Sequence, residues 1–347
     1  MSRSPVLTFA RRHSAFTVFA VVVMGAPILI NNAYYLSILA FAATRLMISL
    51  GLNLLMGQAG QISLGHAAFV GIGAYGAAIM TTRWHIDPWL AMVLAAIVSG
   101  AAAGIIGIPT LKLRGHYLAL ATLGVGEIVF ILLVQMKGIT NGTDGLTGIP
   151  SLAIGGLEFS QYSPRAFHLL VWGMALVMLL ISINLSHSRV GRALKGLHHS
   201  EVAARSLGVD TAFHKVQIFI VSAVFASIAG SFYAYYVQFI SPDSFTLTFS
   251  ILLVTGVVIG GLGSVWGAVL GTLLLVLLPE YLRRYDDYTN LVFGVLVIVI
   301  MIFLPSGIIG VAALLSSWWR RIRGGDHSDG RRPSATDGTG AADGGAA

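Results

Sequence analysis

The residues best suited to bind a small solute are polar side chains that interrupt an apolar stretch. Residues 51–66 read GLNLLMGQAGQISLGH, with four glycines among amide, hydroxyl and imidazole groups. Such groups exchange hydrogen bonds with a solute, and a membrane helix is broken only where it lines a cavity or is buried in protein. We predict that this segment, the first break, lines a translocation path. The predicted path residues are Asn53, Gln58, Gln61, Ser63, Gly65 and His66. For His66, the alternative is a purely structural hydrogen bond.

A second glycine-rich interruption, the second break, occurs at residues 256–271, which read GVVIGGLGSVWGAVLG. In the topology given below, its flanking helices cross the membrane in the opposite sense to those of the first break. Paired broken segments in two halves of a chain indicate an inverted repeat around a central path. The alternative is close helix packing through GxxxG spacing. That spacing occurs at Gly256/Gly260 and at Gly263/Gly267/Gly271.

Two ionisable residues, Arg45 and Glu127, lie in the middle of apolar segments. A charge inside a bilayer is costly, so such residues commonly face a cavity or pair with another group. Glu127 is therefore predicted as a path-facing or proton-relay carboxylate. The alternative is a neutral or paired carboxyl group that only holds helices together, with Arg45 as a candidate partner.

The polar loop 186–215, SHSRVGRALKGLHHSEVAARSLGVDTAFHK, predicts a short helix. Ser200 can cap its start, Glu201 suits the positive N-terminal end, and Gly208 can end it. A short apolar face fits a groove on a partner protein. That face consists of Val202, Ala203, Ala204 and Leu207. The alternative is a solvated loop whose five cations bind anionic lipid headgroups.

A glycine-rich segment at 138–150, GITNGTDGLTGIP, is predicted to form part of an outer loop. Turn-forming residues such as Asn141 and Asp144 explain its composition. A docking or gating role for this loop is the alternative.

Motifs for catalysis and nucleotide binding are absent from the sequence. The chain has no cysteine, which excludes disulfides, cysteine-ligated zinc and thiol nucleophiles. It also contains no H-E-x-x-H, G-x-S-x-G or Walker A pattern. We therefore expect no enzymatic activity and no cofactor bound by this chain.

The composition indicates a membrane protein. Apolar residues make up 56% of the 347 residues and charged residues 10%, and the mean hydropathy is +0.83. A soluble domain carries about 25% charged residues, so an ordinary soluble enzyme is excluded. The net charge of +7 reflects loop cations and does not indicate nucleic-acid binding.

We predict an all-α polytopic membrane protein with about ten transmembrane helices in a pseudo-inverted repeat. A spanning helix needs about 20 apolar residues. The ten candidate segments are residues 15–30, 33–55, 67–81, 89–108, 116–136, 166–185, 216–240, 248–262, 264–279 and 290–312. Treating 248–279 as one span would place the Arg-rich tail outside, so a hairpin broken near Gly260, Gly261 and Gly263 is predicted.

The distribution of cations predicts the orientation. With a cytoplasmic N-terminus, fifteen Lys and Arg residues lie inside and five outside, as the positive-inside rule requires. The predicted organisation is a cytoplasmic N-terminus 1–14, a permease domain 15–315 and a disordered cytoplasmic tail 316–347. The domain carries a cytoplasmic docking loop at 186–215 and an outer loop at 137–165. Both termini are predicted to be cytoplasmic, in a multi-pass protein of the plasma (inner) membrane.

The docking loop resembles that of the membrane subunits of ABC importers. Glu201, Ala203, Ala204 and Gly208 match its Glu-Ala-Ala pattern with a following glycine, and Val202 is inserted. More specifically, the chain is similar to M-type permease subunits of branched-chain amino-acid importers. The stretches that carry this similarity are 51–75, 115–124 (GHYLALATLG), 140–148 (TNGTDGLTG) and 191–271.

This resemblance implies a permease subunit in the lipid bilayer that moves branched-chain amino acids or related solutes into the cytoplasm. It implies a second related permease, two ATPase subunits that bind ATP-Mg, and an extracytoplasmic solute-binding protein. The family also includes urea and short-chain amide permeases. An ion-coupled secondary carrier, or a channel for a small solute such as urea, is the alternative function.

Overall fold

The computed structural model describes residues 5–160, 162–282 and separate positions between 292 and 310. Residues 1–4, much of the predicted span 290–312 and the predicted tail 316–347 lie outside the described residues.

The described part is mainly helical, as predicted. The long helices are α1 (Pro5–Leu29), α2 (Ala33–Asn53), α3 (His66–Arg83), α4 (Pro88–Thr110), α5 (His116–Gln135), α7 (Pro164–His187), α10 (Thr211–Val237), α11 (Leu247–Gly260) and α12 (Val265–Leu282). The shorter helices are α6 (Lys137–Thr140), α8 (Arg189–His199) and α9 (Glu201–Ser206). The nine long helices coincide with the first nine predicted segments.

Seven helices in the described part are long and apolar enough to cross a membrane. These are Ala33–Gln58, Pro88–Thr110, His116–Gln135, Pro164–His187, Thr211–Val237, Pro242–Gly260 and Val265–Leu282. The apolar part of α1, Ser14–Leu29, is shorter. Helix α3 is less apolar because it begins at His66 and ends at Arg83. The structure thus shows a polytopic helical membrane protein.

The purely helical prediction overlooks four short strands. β1 (Leu146–Thr147) pairs antiparallel with β4 (Phe239–Ile240), and β2 (Leu152–Ile154) pairs antiparallel with β3 (Leu157–Phe159). Two or three residues are too few to show a period-two pattern in sequence. The β1–β4 pair ties the loop after α5 to the end of α10.

The centre of the fold is the crossing of α3 and α10, where small residues bring the two backbones together. A Cβ atom at Gly73 would lie 2.2 Å from the carbonyl oxygen of Ser227, and one at Gly230 would lie 2.1 Å from that of Val70. The hydroxyl of Ser231 donates to the carbonyl of Gly73 at 3.1 Å. Small residues and interhelical hydrogen bonds are the usual means of helix association in membranes.

The predicted hairpin at the second break is confirmed. Helix α11 ends at Gly260 and α12 begins at Val265, with Gly261 at φ 113° and Gly263 at φ 81°. These positive φ angles favour glycine. A Cβ atom at Gly260 would lie 2.0 Å from the carbonyl oxygen of Gly267. The GxxxG spacing therefore does serve close packing between α11 and α12.

We expect Gly73→Ala to destabilise the protein, because the added methyl group overlaps the backbone of α10 and neither helix can easily move away. The expected loss is about 1–3 kcal/mol, measured by thermal unfolding of the purified protein in detergent. Gly124→Ala is the control, because a Cβ there meets nothing within 4 Å. It should be neutral, or stabilising by about 0.5–1 kcal/mol. Equal losses in both variants would contradict the close-packing interpretation.

Candidate functional site

The first break begins where α2 changes its helical pitch. α2 continues as a π-helix, Leu54–Gln58, and residues 60–65 are not helical before α3 starts at His66. π-helical turns are rare and occur frequently at functional sites. Gln61, Ser63 and Gly65 of this segment are buried, whereas Gly60 and Ile62 are exposed. Burial in protein is the condition under which a membrane protein tolerates irregular backbone.

Asn53 joins the first break to the second. Its side chain is fully buried. The amide nitrogen Nδ2 donates to the carbonyl of Ser264 at 3.2 Å, and Oδ1 accepts from the backbone N–H of Gly263 at 3.0 Å. A Cβ atom at Gly57 would lie 2.1 Å from the nitrogen of Gly263. The two breaks are therefore in direct backbone contact.

Gln58 adds a third helix to this junction. Its Nε2 donates to the hydroxyl of Ser186 on α7 at 2.8 Å and to the carbonyl of Gly263 at 3.0 Å. Its Oε1 is buried and has no hydrogen-bond partner among the described residues. One acceptor of the junction is thus available to another donor, such as water.

The buried His66 holds the start of α3 in place. Its Nε2 lies 2.8 Å from the hydroxyl of Ser222 on α10, and its Nδ1 lies 3.4 Å from that of Ser63. Which ring nitrogen carries the proton decides the direction of each bond. These contacts favour the structural interpretation of His66.

The remaining predicted residues of the first break are held locally or by α5. Gln61 donates through Nε2 to the carbonyl of Ala59 at 2.9 Å. Gly65 packs against the carbonyl of Thr122, whose hydroxyl accepts from the N–H of Leu64 at 3.1 Å. All six predicted polar-break residues therefore lie in one buried junction, and their role in a path stays a prediction.

Sequence reasoning missed the partners that complete the junction. They are Thr122, Ser186, Ser222, Ser250 and Ser264, of which Ser250 accepts from the backbone N–H of Ala67. For the four that bond through a hydroxyl, the available signal is a hydroxyl within or at the end of an apolar helix, because such groups commonly bond to another helix in a membrane. Ser264 bonds through its backbone carbonyl, for which the side chain gives no signal. Other serines share the hydroxyl signal, so it does not select these four.

Glu127 lies apart from the junction. Glu127 is exposed on α5. No ion pair between described residues joins it to Arg45. The proposed pairing of the two is therefore not present in this structure. A role for Glu127 in a path stays a prediction.

The predicted helix in the docking loop is present as α9. The hydroxyl of Ser200 accepts from the N–H of Ala203 at 3.3 Å, the helix ends at Ser206, and Gly208 follows at φ 80°. The loop is shorter than predicted, at residues 188–210, because α7 and α10 extend into it.

Glu201 is an anchor within the chain. Its carboxylate lies 3.1 Å from Nζ of Lys215, 3.2 Å from Nε of Arg114 and 3.3 Å from Nη2 of Arg205. Burial raises the pKa of this carboxyl group, but the hydrogen bond to Lys215 and the three positive charges outweigh it and lower the pKa below its ordinary value. Glu201 thus ties α9 to the start of α10 and to the loop between α4 and α5.

The surface that α9 leaves for a partner is most of the predicted apolar face, without Ala204. Val202 is 69% exposed and Leu207 85% exposed, whereas Ala204 is buried. Ala203 and Gly208 are also exposed. Of the four predicted docking residues, Glu201 and Ala204 therefore face the chain itself, and the exposed apolar side chains are Val202 and Leu207.

Helix α8 connects the docking loop to the first break. A Cβ atom at Gly60 would lie 3.0 Å from Nδ1 of His198, so the α8 side chain rests against the break. Leu194 and Leu197 of α8 are buried. The two sites that the sequence presents as separate are therefore neighbours.

Asn141 and Asp144, the two residues predicted in the outer loop, are both exposed in the segment between α5 and α7. Asn141 has a left-handed backbone, at φ 60°, and its Oδ1 accepts from Arg83 at 3.2 Å. Asp144 is exposed in a 3-10 turn, Gly142–Asp144. Turn chemistry accounts for Asn141, as predicted, and a docking or gating role stays a prediction.

We expect Asn53→Leu to loosen the contact between the breaks, because it leaves the N–H of Gly263 without a partner and removes one of the two donors to the carbonyl of Ser264. Each buried unsatisfied group costs about 1–3 kcal/mol. Hydrogen exchange of residues 261–264 should rise in the variant. Gln61→Leu is the control, because that amide bonds only within its own segment. Unchanged exchange in Asn53→Leu would show that the amide does not hold the breaks together.

We expect Glu201→Gln to destabilise the protein by about 2 kcal/mol, because Lys215, whose side chain is 4% exposed, loses its counter-charge. Arg205→Gln is the control. That side chain is 64% exposed, so the loss should stay within about 0.5 kcal/mol. Adding Lys215→Met to Glu201→Gln should recover part of the loss. Thermal unfolding in detergent measures all three, and no recovery in the double variant would contradict the ion pair.

The same ion pairs predict a pH dependence. Because the pKa of Glu201 is lowered on folding, its contribution is complete above the unfolded value of about 4.3 and is lost as the pH falls below it. The stability difference between the wild type and Glu201→Gln should therefore shrink as the pH falls below 4. A difference that stays constant across this range would refute the assignment.

Comparison with known proteins identifies the family. Residues 34–304 match the family model described as branched-chain amino acid transport system / permease component. No solved structure is significantly similar to the chain.

Individual relatives agree with that match. The high-affinity branched-chain amino acid transport system permease protein LivM of Salmonella typhimurium is 36% identical over 285 residues, which are 76% of this chain and 67% of the relative. LivM of Escherichia coli K12 is 35% identical over 285 residues, which again are 76% of this chain and 67% of the relative. The permease protein LivH of Escherichia coli K12 is 26% identical over 286 residues, or 77% of this chain and 92% of the relative. This chain therefore belongs to the family of branched-chain amino acid transport system permease components.

Proposed function

We propose that this chain is the membrane-spanning subunit of an ATP-driven importer that moves branched-chain amino acids into the cytoplasm. The observation that carries the proposal is the exposed apolar surface of Val202 and Leu207 on a capped, anchored helix. The family match supports the substrate class, because its members are described as branched-chain amino acid transport permeases. The chain would bind no cofactor, and ATP-Mg would bind to partner ATPases.

The proposed mechanism uses the contact between α8 and the first break. An ATPase that moves α9 would also move α8, because α9 follows α8 directly in the chain. Glu201 in addition fixes α9 to α10. His198 against Gly60 would pass that motion to the buried junction. A bistable element that two sites bias is what allosteric coupling requires. The path residues would be Asn53, Gln58, Gln61, Ser63, Gly65 and His66.

The proposed assembly contains a second related permease, two ATPase subunits and an extracytoplasmic solute-binding protein. Similarity to both LivM and LivH supports two related permeases. Glu127, exposed in the middle of α5, would then pair at a helix interface or contribute to the path, because a lone carboxylate facing lipid is costly. Asn141 and Asp144 would lie where the solute-binding protein docks.

The proposed topology has ten spans in an inverted repeat and both termini in the cytoplasm. The charge distribution supports this orientation, since it places fifteen of the Lys and Arg residues inside. The proposed domains are the N-terminus 1–14, the permease domain 15–315 and the tail 316–347.

We expect Leu207→Asp to abolish ATP-driven leucine uptake while the chain still inserts, because a charge at an apolar contact blocks docking in a partner groove. Leu207→Met is the matched control and should keep uptake near wild type. Uptake by the reconstituted complex and co-purification of ATPase subunits measure the effect. An autonomous carrier or channel predicts instead that the chain alone moves solute and that Leu207→Asp has no effect.

A further inference from the structure

A cavity of about 390 Å³ lies among α2, α3, α10, α11 and the 3-10 turn Pro242–Phe245. This volume falls within the range of about 300–1,000 Å³ that is typical of small-ligand sites. Among the described residues that line it, Arg45 is the one with a charge. The cavity is distinct from the junction of the two breaks.

Arg45 has no hydrogen bond or ion pair among the described residues. Its guanidinium carbon lies 5.9 Å from the ring centre of Phe249. Arginine stays charged in proteins and presents five N–H donors. A cation without a counter-charge in the middle of a spanning helix is costly unless it faces water or an anion. The cavity therefore favours a ligand with a negative group.

Aromatic rings form much of the remaining wall. Phe41 and Tyr233 lie 6.2 Å apart between ring centres, and Tyr233 and Phe245 lie 6.1 Å apart. Together with Phe249, they offer apolar surface for an aliphatic side chain and ring faces for an ammonium group. The hydroxyl-bearing Ser244 also lines the cavity.

We propose that this cavity binds the transported amino acid within the membrane, with Arg45 taking the carboxylate through paired hydrogen bonds. Planar, two-point recognition of carboxylates is characteristic of arginine. The aromatic wall receives the aliphatic side chain. Urea and simple amides lack the carboxylate, so they are not ligands of this site. The inference rests on the proposed function and adds to it a substrate site in this chain.

The position of the cavity suits a solute-binding step that comes before or after passage through the junction. Arg45 and Asn53 lie on the same helix, eight residues or about 12 Å apart along its axis. The junction uses nearly all of its polar groups within the chain, whereas the guanidinium of Arg45 has no such partner. The two sites therefore have different tasks. The junction closes the path, and the cavity recognises the solute.

The test uses the absence of cysteine from this chain. The complete importer carrying Arg45→Cys is reconstituted into liposomes and treated with a methanethiosulfonate reagent that bears either an ammonium or a sulfonate group. Uptake of leucine should fall about tenfold or more in the untreated variant. The ammonium reagent should restore part of it, and the sulfonate reagent none. The wild-type importer treated in the same way controls for cysteines in the other subunits.

Protection from labelling tests the site directly. Without the solute-binding protein, excess leucine should slow the labelling of a Ser244→Cys variant, which lines the cavity and keeps Arg45. Leucine amide, which lacks the carboxylate, should not slow it. Arg83→Cys is the control, because Arg83 lies outside the cavity and bonds to the carbonyl of Gly138 and to Asn141. Its labelling should be the same with and without leucine.

The outcomes separate the two proposals. Leucine uptake by the wild type, together with normal uptake in Arg45→Cys or unprotected labelling in Ser244→Cys, overturns the substrate site and leaves the proposed function standing. No leucine uptake by the wild-type importer overturns the proposed function and the site with it. If Arg45→Cys does not assemble, Arg45→Lys and Arg45→Gln replace it. Uptake should then decrease from Arg to Lys to Gln, and equal uptake by all three overturns the site.

Discussion

The structure depends on the contact between two irregular backbone segments that are more than 200 residues apart in sequence. Asn53 bonds to Gly263 and Ser264, and Gly57 lies against Gly263 with no room for a side chain. Inside a membrane, backbone groups released by a broken helix must find partners in the protein. Here side-chain amides of the first break satisfy backbone groups of the second, so the second break depends on the first for its partners.

This contact has consequences for function because it lies at the meeting point of several helices. Gln58 reaches α7 through Ser186, and His66 reaches α10 through Ser222. Helix α8 touches the first break at Gly60. A displacement of the loop between α7 and α10 cannot leave the junction unchanged, since packed interiors transmit strain. Motion from outside the membrane therefore has a short physical route to the buried polar groups.

Polar groups in this protein have two different environments. Those of the junction are hydrogen-bonded within the chain, which favours a defined closed arrangement. Arg45 instead faces an aromatic cavity with no counter-charge among the described residues. The second environment suits a solute that brings its own negative group. Arg45 lies on α2, as does Asn53 of the junction. One helix therefore connects the proposed substrate site to the junction.

Much of the architecture follows from the sequence alone, because hydropathy and glycine spacing are local properties. They gave the membrane class, nine of the long helices, the hairpin at Gly260–Gly263, and the capped helix that starts after Ser200. Polar side chains within an apolar stretch also mark the six residues of the first break, which the structure shows to be buried. Their role in a path stays a prediction. The local signals were sufficient because a segment inside the bilayer must be helical unless it is buried in protein or lines a cavity.

Only the tertiary structure decided which groups meet. The sequence predicts Glu201 as part of a docking surface, but its carboxylate pairs with Arg114 and Lys215 from outside α9 as well as with the neighbouring Arg205. Val202 and Leu207 remain exposed. Glu127 and Arg45 look like a pair in sequence, yet they lie on helices that do not bring them together. Short strands and serine partners were equally hidden. Side-chain pairing depends on helix rotation and crossing, which are set by contacts between segments far apart in the chain.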